Sequence, residues 1–180
     1  MMRDEIKKVL FTEEDLQLKC KELGEKITKD YEDKDLLVVG VLKGSVLFTS
    51  DLIKNIKIPC EIDFMAVSSY GNSTESSGVV RILKDLDNEI EGTDVLIVED
   101  IVDTGNTLSY LKRYLNGRGA NSVKIITLLD KPERRTAEVE VDYIGFEVPN
   151  EFIVGYGIDY AEKYRNLPFV GILDEKVYSK

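Results

Sequence analysis

The sequence predicts an α/β protein whose central, mostly parallel β-sheet is flanked by helices. Several aliphatic runs do not alternate with polar residues, which is typical of strands covered on both faces. Amphipathic helical patterns lie between these runs, and short turns rich in glycine and small polar residues connect them. Strands that alternate with helices predict parallel pairing with right-handed crossovers.

The composition narrows the class of protein. The chain has 180 residues, net charge −10, no histidine, and two cysteines, Cys20 and Cys60, without metal-binding spacing. The net charge argues against non-specific binding to nucleic acid or to an anionic membrane, and the lack of histidine against a zinc site. No signal peptide or membrane-spanning run is recognisable, so we expect a cytoplasmic protein.

The individual elements follow from the same patterns. An amphipathic helix begins at Thr12, with three acids in its first turn, and runs to Tyr31. A second helix carries residues 46–53, and a third carries Leu108, Leu111 and Leu115. Strands are predicted over residues 36–41, 62–67, 79–83, 95–98, 122–129, 141–146 and 169–173, with 62–67 and 79–83 pairing as a hairpin.

The chemistry is concentrated after the strand 95–98. The carboxylates Glu99 and Asp100 follow it, and a turn of small residues over 103–107 leads into the third helix. Small residues let a backbone wrap an anion, and a helix N-terminus favours one, so carboxylates beside such a turn suggest a sugar phosphate. The same residues are common at ordinary turns and N-caps, so physical reasoning alone leaves both interpretations open.

The motif itself is more specific. Residues 95–107 resemble the phosphoribosyl-diphosphate signature of the type I phosphoribosyltransferases, and the Glu-Asp-Ile-Val-Asp-Thr-Gly form resembles the 6-oxopurine branch, the hypoxanthine-guanine enzymes. Four further motifs follow the family order, at residues 42–45, 69–71, 129–132 and 152–165. The resemblance implies the type I fold in a single domain, 1–180. It also implies a small hood from the N-terminal segment with its helix and about residues 147–180, and a flexible hairpin lid over about residues 68–79.

The resemblance also implies roles for individual residues. Asp103 would be the general base at purine N7, and the alternative is that it only caps the following helix. Without the resemblance, Lys131 and Lys43 would be interpreted as ordinary surface or loop cations. The 5′-phosphate would bind Asp103, Thr104, Gly105, Asn106 and Thr107, although some members carry lysine at the Asn106 position. The remaining roles are purine binding by Lys131, Phe152, Ile153 and Asp159; ribose binding by Glu99 and Asp100; pyrophosphate binding by Lys43, Gly44 and Arg165; lid closure by Ser69 and Tyr70; and Mg²⁺ binding by Glu99, Asp100 and Asp159.

The implied reaction joins hypoxanthine, guanine or both to 5-phosphoribosyl 1-diphosphate, giving IMP or GMP and diphosphate, as in purine salvage. Two alternatives stay open: a xanthine-preferring transferase, and an RNA-binding regulator on the same scaffold, of the pyrimidine-operon attenuator type. Expected partners are small-molecule substrates, with no nucleic acid or membrane, and family members form homodimers or homotetramers. They also carry a non-proline cis peptide bond at the position of Leu42–Lys43.

Overall fold

The computed structural model describes residues 1–69 and 80–179. Its main sheet has six strands, and the expected α/β fold is confirmed. The strand order is β4-β3-β2-β5-β6-β7, in which only β4 runs antiparallel to its neighbour. The strands span β2 Leu36–Leu42, β3 Cys60–Ser69, β4 Val80–Lys84, β5 Asp94–Val102, β6 Ser122–Asp130 and β7 Tyr143–Glu147.

Helices cover both faces of this sheet. They are α1 Glu13–Asp30, α2 Val46–Ile53 and α3 Asn106–Gly117. The short α4 Glu175–Tyr178 does not cover this sheet and packs with Val154, Leu167 and Leu173. Successive residues of a strand point to opposite faces, and β2 shows this directly. Leu36 and Val38 pack with α1 and α2, whereas Leu37 and Val39 pack with Leu111 of α3. Both faces are therefore buried, which explains the uninterrupted aliphatic runs. No helix in the described ranges is long and apolar enough to cross a bilayer.

A second, smaller sheet lies beside the first. It pairs β1 Ile6–Phe11, β9 Val170–Leu173 and β8 Ile153–Val154 in the antiparallel order β1-β9-β8. The sequence did not predict β1, because the edge strand leaves residues 7–9 exposed and two of these are lysines. The prediction that the N-terminal helix belongs to the hood stays a prediction. The apolar face of α1 (including Leu16, Cys20 and Ile27) enters the larger core, where it packs against α2 and the main sheet, and α1 also contacts β1 of the smaller sheet.

The parallel strands bring three turns to one edge of the main sheet. Strands β2, β5 and β6 end at Leu42, Val102 and Asp130, and Val102 pairs directly with Asp130. The backbone N–H of Lys131 donates to the carbonyl of Val102 at 3.0 Å. The residues that follow these three strands are therefore neighbours, and ligands of open α/β sheets bind at this edge.

Candidate active site

The turn between β5 and α3 is shaped by Gly105. This residue precedes α3 with φ of 85°, a left-handed conformation that costs little only for glycine. A Cβ at this position would lie 2.7 Å from Val139 Cγ1, because residues 135–139 cross over the turn. The glycine is thus required both for the backbone conformation and for the close approach of this neighbouring segment.

The N-terminus of α3 is open to a ligand. No side chain within the described ranges caps it, and the N–H of Asn106 makes only a long 3.4 Å contact to Thr104 Oγ1. The carbonyl of Thr104 accepts from Thr136 and Ala137 at 3.0 Å, which fixes the turn from outside. The interpretation of Asp103 as a helix cap is wrong, since its carboxylate is paired with Arg134 instead. Uncapped N–H groups at a helix start are an anion site.

Two cavities open at this edge and share Asp103 and Ile101 among their lining residues. The first, of about 440 Å³, holds all four of the expected purine-binding residues: Lys131, Phe152, Ile153 and Asp159. The second, of about 260 Å³, is lined by Glu99 and by Thr104, Gly105 and Thr107 of the turn. Asn106 does not line it. The two cavities that meet at Asp103 are thus lined by six segments of the described chain: 41–42, 67, 99–108, 131–134, 150–159 and 178.

The first cavity has an aromatic wall and a cationic wall. The Phe152 ring is 37% exposed; it stacks on Tyr178 at a centroid distance of 4.7 Å and meets Tyr160 edge-on at 5.3 Å. On the other wall, Lys131 Nζ donates to the carbonyl of Glu151 at 2.7 Å. Burial of Lys131 lowers the pKa of its ammonium group. A flat ring could stack on the Phe152 wall, and a hydrogen-bond acceptor on the edge of that ring could accept from Lys131.

Glu99 and Asp100 form a carboxyl pair at the end of β5. Both side chains are partly buried, and burial together with the Asp100 carboxyl raises the pKa of Glu99 well above its usual value. Burial also raises the pKa of Asp100. The Asp100 carboxylate lies against Gly44, where any Cβ would collide with it. The strand end therefore places one carboxylate beside the turn after β2 and the other beside the second cavity.

The raised pKa of Glu99 predicts how the stability of the protein depends on pH. A carboxyl whose pKa is raised by folding stabilises the folded state at low pH, and that contribution is lost as pH rises through the folded-state value. We expect Glu99→Gln, which keeps the neutral form, to raise Tm in EDTA, with a gain over wild type that grows from pH 5 to pH 8. Thermal melts at several pH values measure this. The exposed Glu140→Gln is the matched control, and a gain that does not change with pH would contradict the prediction.

The expected pyrophosphate-binding cations converge on one acidic side chain. Glu162 Oε2 lies 2.9 Å from Lys43 Nζ, and its Oε1 lies 3.2 Å from an Arg165 guanidinium nitrogen, which also approaches Asp159 Oδ1 at 3.3 Å. Glu162, the preceding Ala161 and the nearby Tyr164 all have positive φ, at 64°, 50° and 75°. Left-handed conformations at three non-glycine residues cost energy and cluster at functional loops.

The loop after β8 touches the turn after β2 through two glycines. Gly157 has φ of 97°, and a Cβ on it would collide with the carbonyl oxygen of Gly44. The carbonyl of Gly157 accepts from Arg165 at 2.8 Å, so this contact also ties Arg165 to the turn. The Leu42–Lys43 peptide bond is cis.

The predicted lid falls largely outside the described residues. Residues 70–79, including Tyr70, lie outside them, whereas Ser69 is described and ends β3. Within the described ranges, no three acidic, cysteine or histidine side chains form a metal site by themselves. A magnesium ion here would need oxygen atoms from a substrate as well, as is usual for Mg²⁺.

Comparison with known proteins decides the family. The sequence model described as the phosphoribosyl transferase domain matches residues 10–161, most of the chain. The chain belongs to the phosphoribosyltransferase family. The hypoxanthine-guanine phosphoribosyltransferase of Streptococcus agalactiae is 59% identical over 180 residues, covering 100% of both chains.

Solved structures agree with this assignment. A crystal structure of a hypoxanthine phosphoribosyltransferase from Staphylococcus aureus superposes with a TM-score of 0.97 at 56% identity, covering 99% of this chain and 97% of the other. A hypoxanthine-guanine phosphoribosyltransferase from Bacillus anthracis, with HEPES in its active site, gives a TM-score of 0.90 at 52% identity, covering 94% and 99%.

Two residues of the candidate site in this phosphoribosyltransferase were not predicted from the sequence. Arg134, in the 3₁₀ turn Pro132–Arg134, lines the first cavity and pairs with Asp103, and Glu162 bridges Lys43 and Arg165. A signal existed for Arg134, since two consecutive arginines follow Lys131 closely in an acidic chain. Nothing in the sequence indicated that Glu162 contacts Lys43, because the two residues are 119 positions apart.

Proposed function

We propose that this phosphoribosyltransferase joins hypoxanthine or guanine to 5-phosphoribosyl 1-diphosphate, forming IMP or GMP and releasing diphosphate. The observation that carries the proposal is the meeting of two cavities at Asp103. One has the aromatic and cationic walls that a 6-oxopurine needs, and the other has the open helix N-terminus that a 5′-phosphate needs. The relatives named above carry the corresponding names.

In the proposed reaction, purine N9 attacks C1′ of the ribose. The bond from C1′ to the diphosphate oxygen breaks, and its electron pair leaves with diphosphate. The proton on purine N7 passes to the Asp103 carboxylate, while the N–H electron pair stays in the ring. Asp103 suits this role because it borders both cavities and therefore both reaction partners.

Purine recognition is assigned to Lys131, Phe152, Ile153 and Asp159. An ammonium group has three donors, so Lys131 can keep its bond to Glu151 and still donate to the exocyclic oxygen of a 6-oxopurine. Adenine presents an amino donor at that position and would be disfavoured. The Phe152 ring, 37% exposed, is assigned to stacking on the base, and buried Ile153 holds the backbone beside the base edge.

The leaving group is assigned to Lys43, Gly44 and Arg165, with Glu162 giving way to diphosphate. Glu99 and Asp100 are assigned to the ribose hydroxyls. Burial raises the pKa values of this pair, so a nearby cation would stabilise its ionised form. Asp159 is the first candidate ligand for Mg²⁺, and Glu99 and Asp100 are candidates for a second, partly water-mediated ion, because Mg²⁺ prefers oxygen ligands. Bound there, magnesium would neutralise charge on the departing diphosphate. Ser69 and Tyr70 remain assigned to a lid that excludes water.

A spectrophotometric assay tests the function. Purified protein is given 5-phosphoribosyl 1-diphosphate, Mg²⁺ and one of hypoxanthine, guanine, xanthine or adenine. We expect nucleotide from hypoxanthine or guanine, none from adenine, and loss of activity in EDTA that added Mg²⁺ restores. Turnover of xanthine alone would establish a xanthine-preferring transferase, and turnover of no purine would overturn the proposal.

Lys131 provides a sharper test of the purine site. We expect Lys131→Gln to lower kcat/KM for hypoxanthine about 10- to 100-fold, the range for a hydrogen bond to a charged donor. The preference for hypoxanthine over adenine should fall as well. Steady-state kinetics with both bases measure this, with Lys29→Gln, an exposed lysine at the end of α1, as the control. If the Lys131→Gln variant discriminated against adenine as strongly as the wild type, Lys131 would not be a purine-binding residue.

Two further expectations remain predictions. A cytoplasmic location is compatible with free thiols at Cys20 and Cys60. Assembly into a homodimer or homotetramer is expected from the family resemblance, and light scattering of the purified protein measures it.

A further inference from the structure

The carboxylate of Asp103 is paired with Arg134, which lies in the 3₁₀ turn after β6. Arg134 donates from Nε to Asp103 Oδ1 at 2.9 Å, and the exposed fractions of the two side chains are 48% and 46%. An ion pair this exposed contributes little to folding stability. The pair does lie at the candidate site, because Arg134 lines the first cavity and Asp103 lines both cavities.

The backbone of Asp103 is fixed separately. The next arginine, Arg135, donates from Nε to the carbonyl of Asp103 at 3.3 Å. The guanidinium of Arg135 is anchored in turn by the carboxylate of Asp130, which is buried at the end of β6. Losing Arg134 therefore leaves the main chain of the turn in place. The contact that would be lost is the one to the Asp103 carboxylate.

We propose that Arg134 is a positioning residue for the general base: by occupying Oδ1 of Asp103, it presents Oδ2 to the purine N7. This inference rests on the proposed function. A half-exposed aspartate otherwise samples several rotamers, and each non-productive rotamer reduces the fraction of enzyme ready to accept the proton. The guanidinium is suited to this task because its donors have a fixed planar geometry.

The other charged groups near the pair do not substitute for Arg134. Lys131 lines the same cavity, but its ammonium group donates to the carbonyl of Glu151, forms no ion pair with Asp103 among the described contacts, and is assigned to the exocyclic oxygen of the base. Glu151 and Asp159 are acidic and repel the Asp103 carboxylate. Among the cavity-lining residues, Arg134 is thus the cation placed to orient the base.

The first test is Arg134→Ala. We expect kcat for hypoxanthine to fall about 10- to 100-fold, the loss that a displacement of about 1 Å produces, while KM for 5-phosphoribosyl 1-diphosphate stays within about twofold. Arg134→Lys keeps the charge without the planar donors and should be intermediate. Guanidinium ion at millimolar concentration should partly restore kcat of Arg134→Ala. The control is Arg113→Ala, an exposed arginine on α3 with wild-type kcat expected.

The second test asks whether Arg134 acts through Asp103. In the Asp103→Asn background, adding Arg134→Ala should lower kcat by less than twofold, because the group that Arg134 positions is already lost. Equal losses in both backgrounds would overturn the inference, as would a single variant with wild-type kcat. Failure of the wild-type protein to use any purine would instead overturn the proposed function, so the two failures are distinguishable.

Discussion

Replacing Asp103 by asparagine should lower kcat for hypoxanthine about 100-fold or more, with little change in Tm. The side chain keeps its size but no longer accepts a proton, and general base catalysis typically contributes about 100- to 10,000-fold. Little stability should be lost, because Asp103 does not cap α3 and its ion pair with Arg134 is half exposed. Stopped-time assays with radiolabelled hypoxanthine give enough range to measure the residual rate.

A true helix cap provides the comparison for this variant. Thr12 caps α1 by accepting from the N–H of Asp15 at 3.2 Å, so Thr12→Ala should cost about 1 kcal/mol of stability and leave kcat unchanged. The two variants should therefore show opposite behaviour. If Asp103→Asn lost stability and kept a normal kcat, the role of Asp103 would be structural and the general-base assignment would be wrong.

Replacing Gly157 by alanine should damage both stability and the use of 5-phosphoribosyl 1-diphosphate. The new Cβ would collide with the carbonyl oxygen of Gly44, and a backbone atom cannot move aside without moving the turn after β2. Since Gly157 also accepts from Arg165, both cations assigned to diphosphate would shift. We expect KM for 5-phosphoribosyl 1-diphosphate to rise at least about 10-fold and Tm to fall by about 5 °C or more, as measured by steady-state kinetics and calorimetry.

A second glycine separates the collision from simple backbone strain. Gly92 has φ of 76°, and nothing would lie within 4 Å of a Cβ added to it. Gly92→Ala therefore carries only the cost of a left-handed alanine, about 1–2 kcal/mol, and should leave KM unchanged. If Gly157→Ala had no larger effect than Gly92→Ala, the packing of the two loops would not position the diphosphate site.

The central strands β2, β5 and β6 were predictable from sequence because they are largely buried on both faces. Runs such as Val95–Val98 are short and rich in β-branched residues, which favours a buried strand over a helix. The spacing of Leu108, Leu111 and Leu115 indicates the buried face of α3. The edge strand β1 was not predictable, since residues 7–9 remain in water and their pattern is not selected by burial. The location of α1 depends on which core its apolar stripe joins, and periodicity does not encode that choice.

The candidate site was predictable where its residues follow strand ends. Asp103 and Lys131 are adjacent because β5 and β6 are parallel neighbours, which the alternation of strands and helices implies. The contacts of Arg134 and Glu162 were not predictable. Both depend on the course of irregular segments after β6 and β8, where no hydrophobic period constrains the backbone.

Glu162 pairs with both Lys43 and Arg165, and this affects which anions bind to these two cations. A carboxylate fixed in the same chain competes with every dissolved anion at the high effective concentration of an intramolecular ligand. A small monovalent ion such as chloride offers no more charge than the carboxylate it would replace. A ligand that brings several charges to Lys43 and Arg165 at once gains more by displacing Glu162 than a monovalent ion does, so the proposed diphosphate site favours polyanions over the salt of its surroundings.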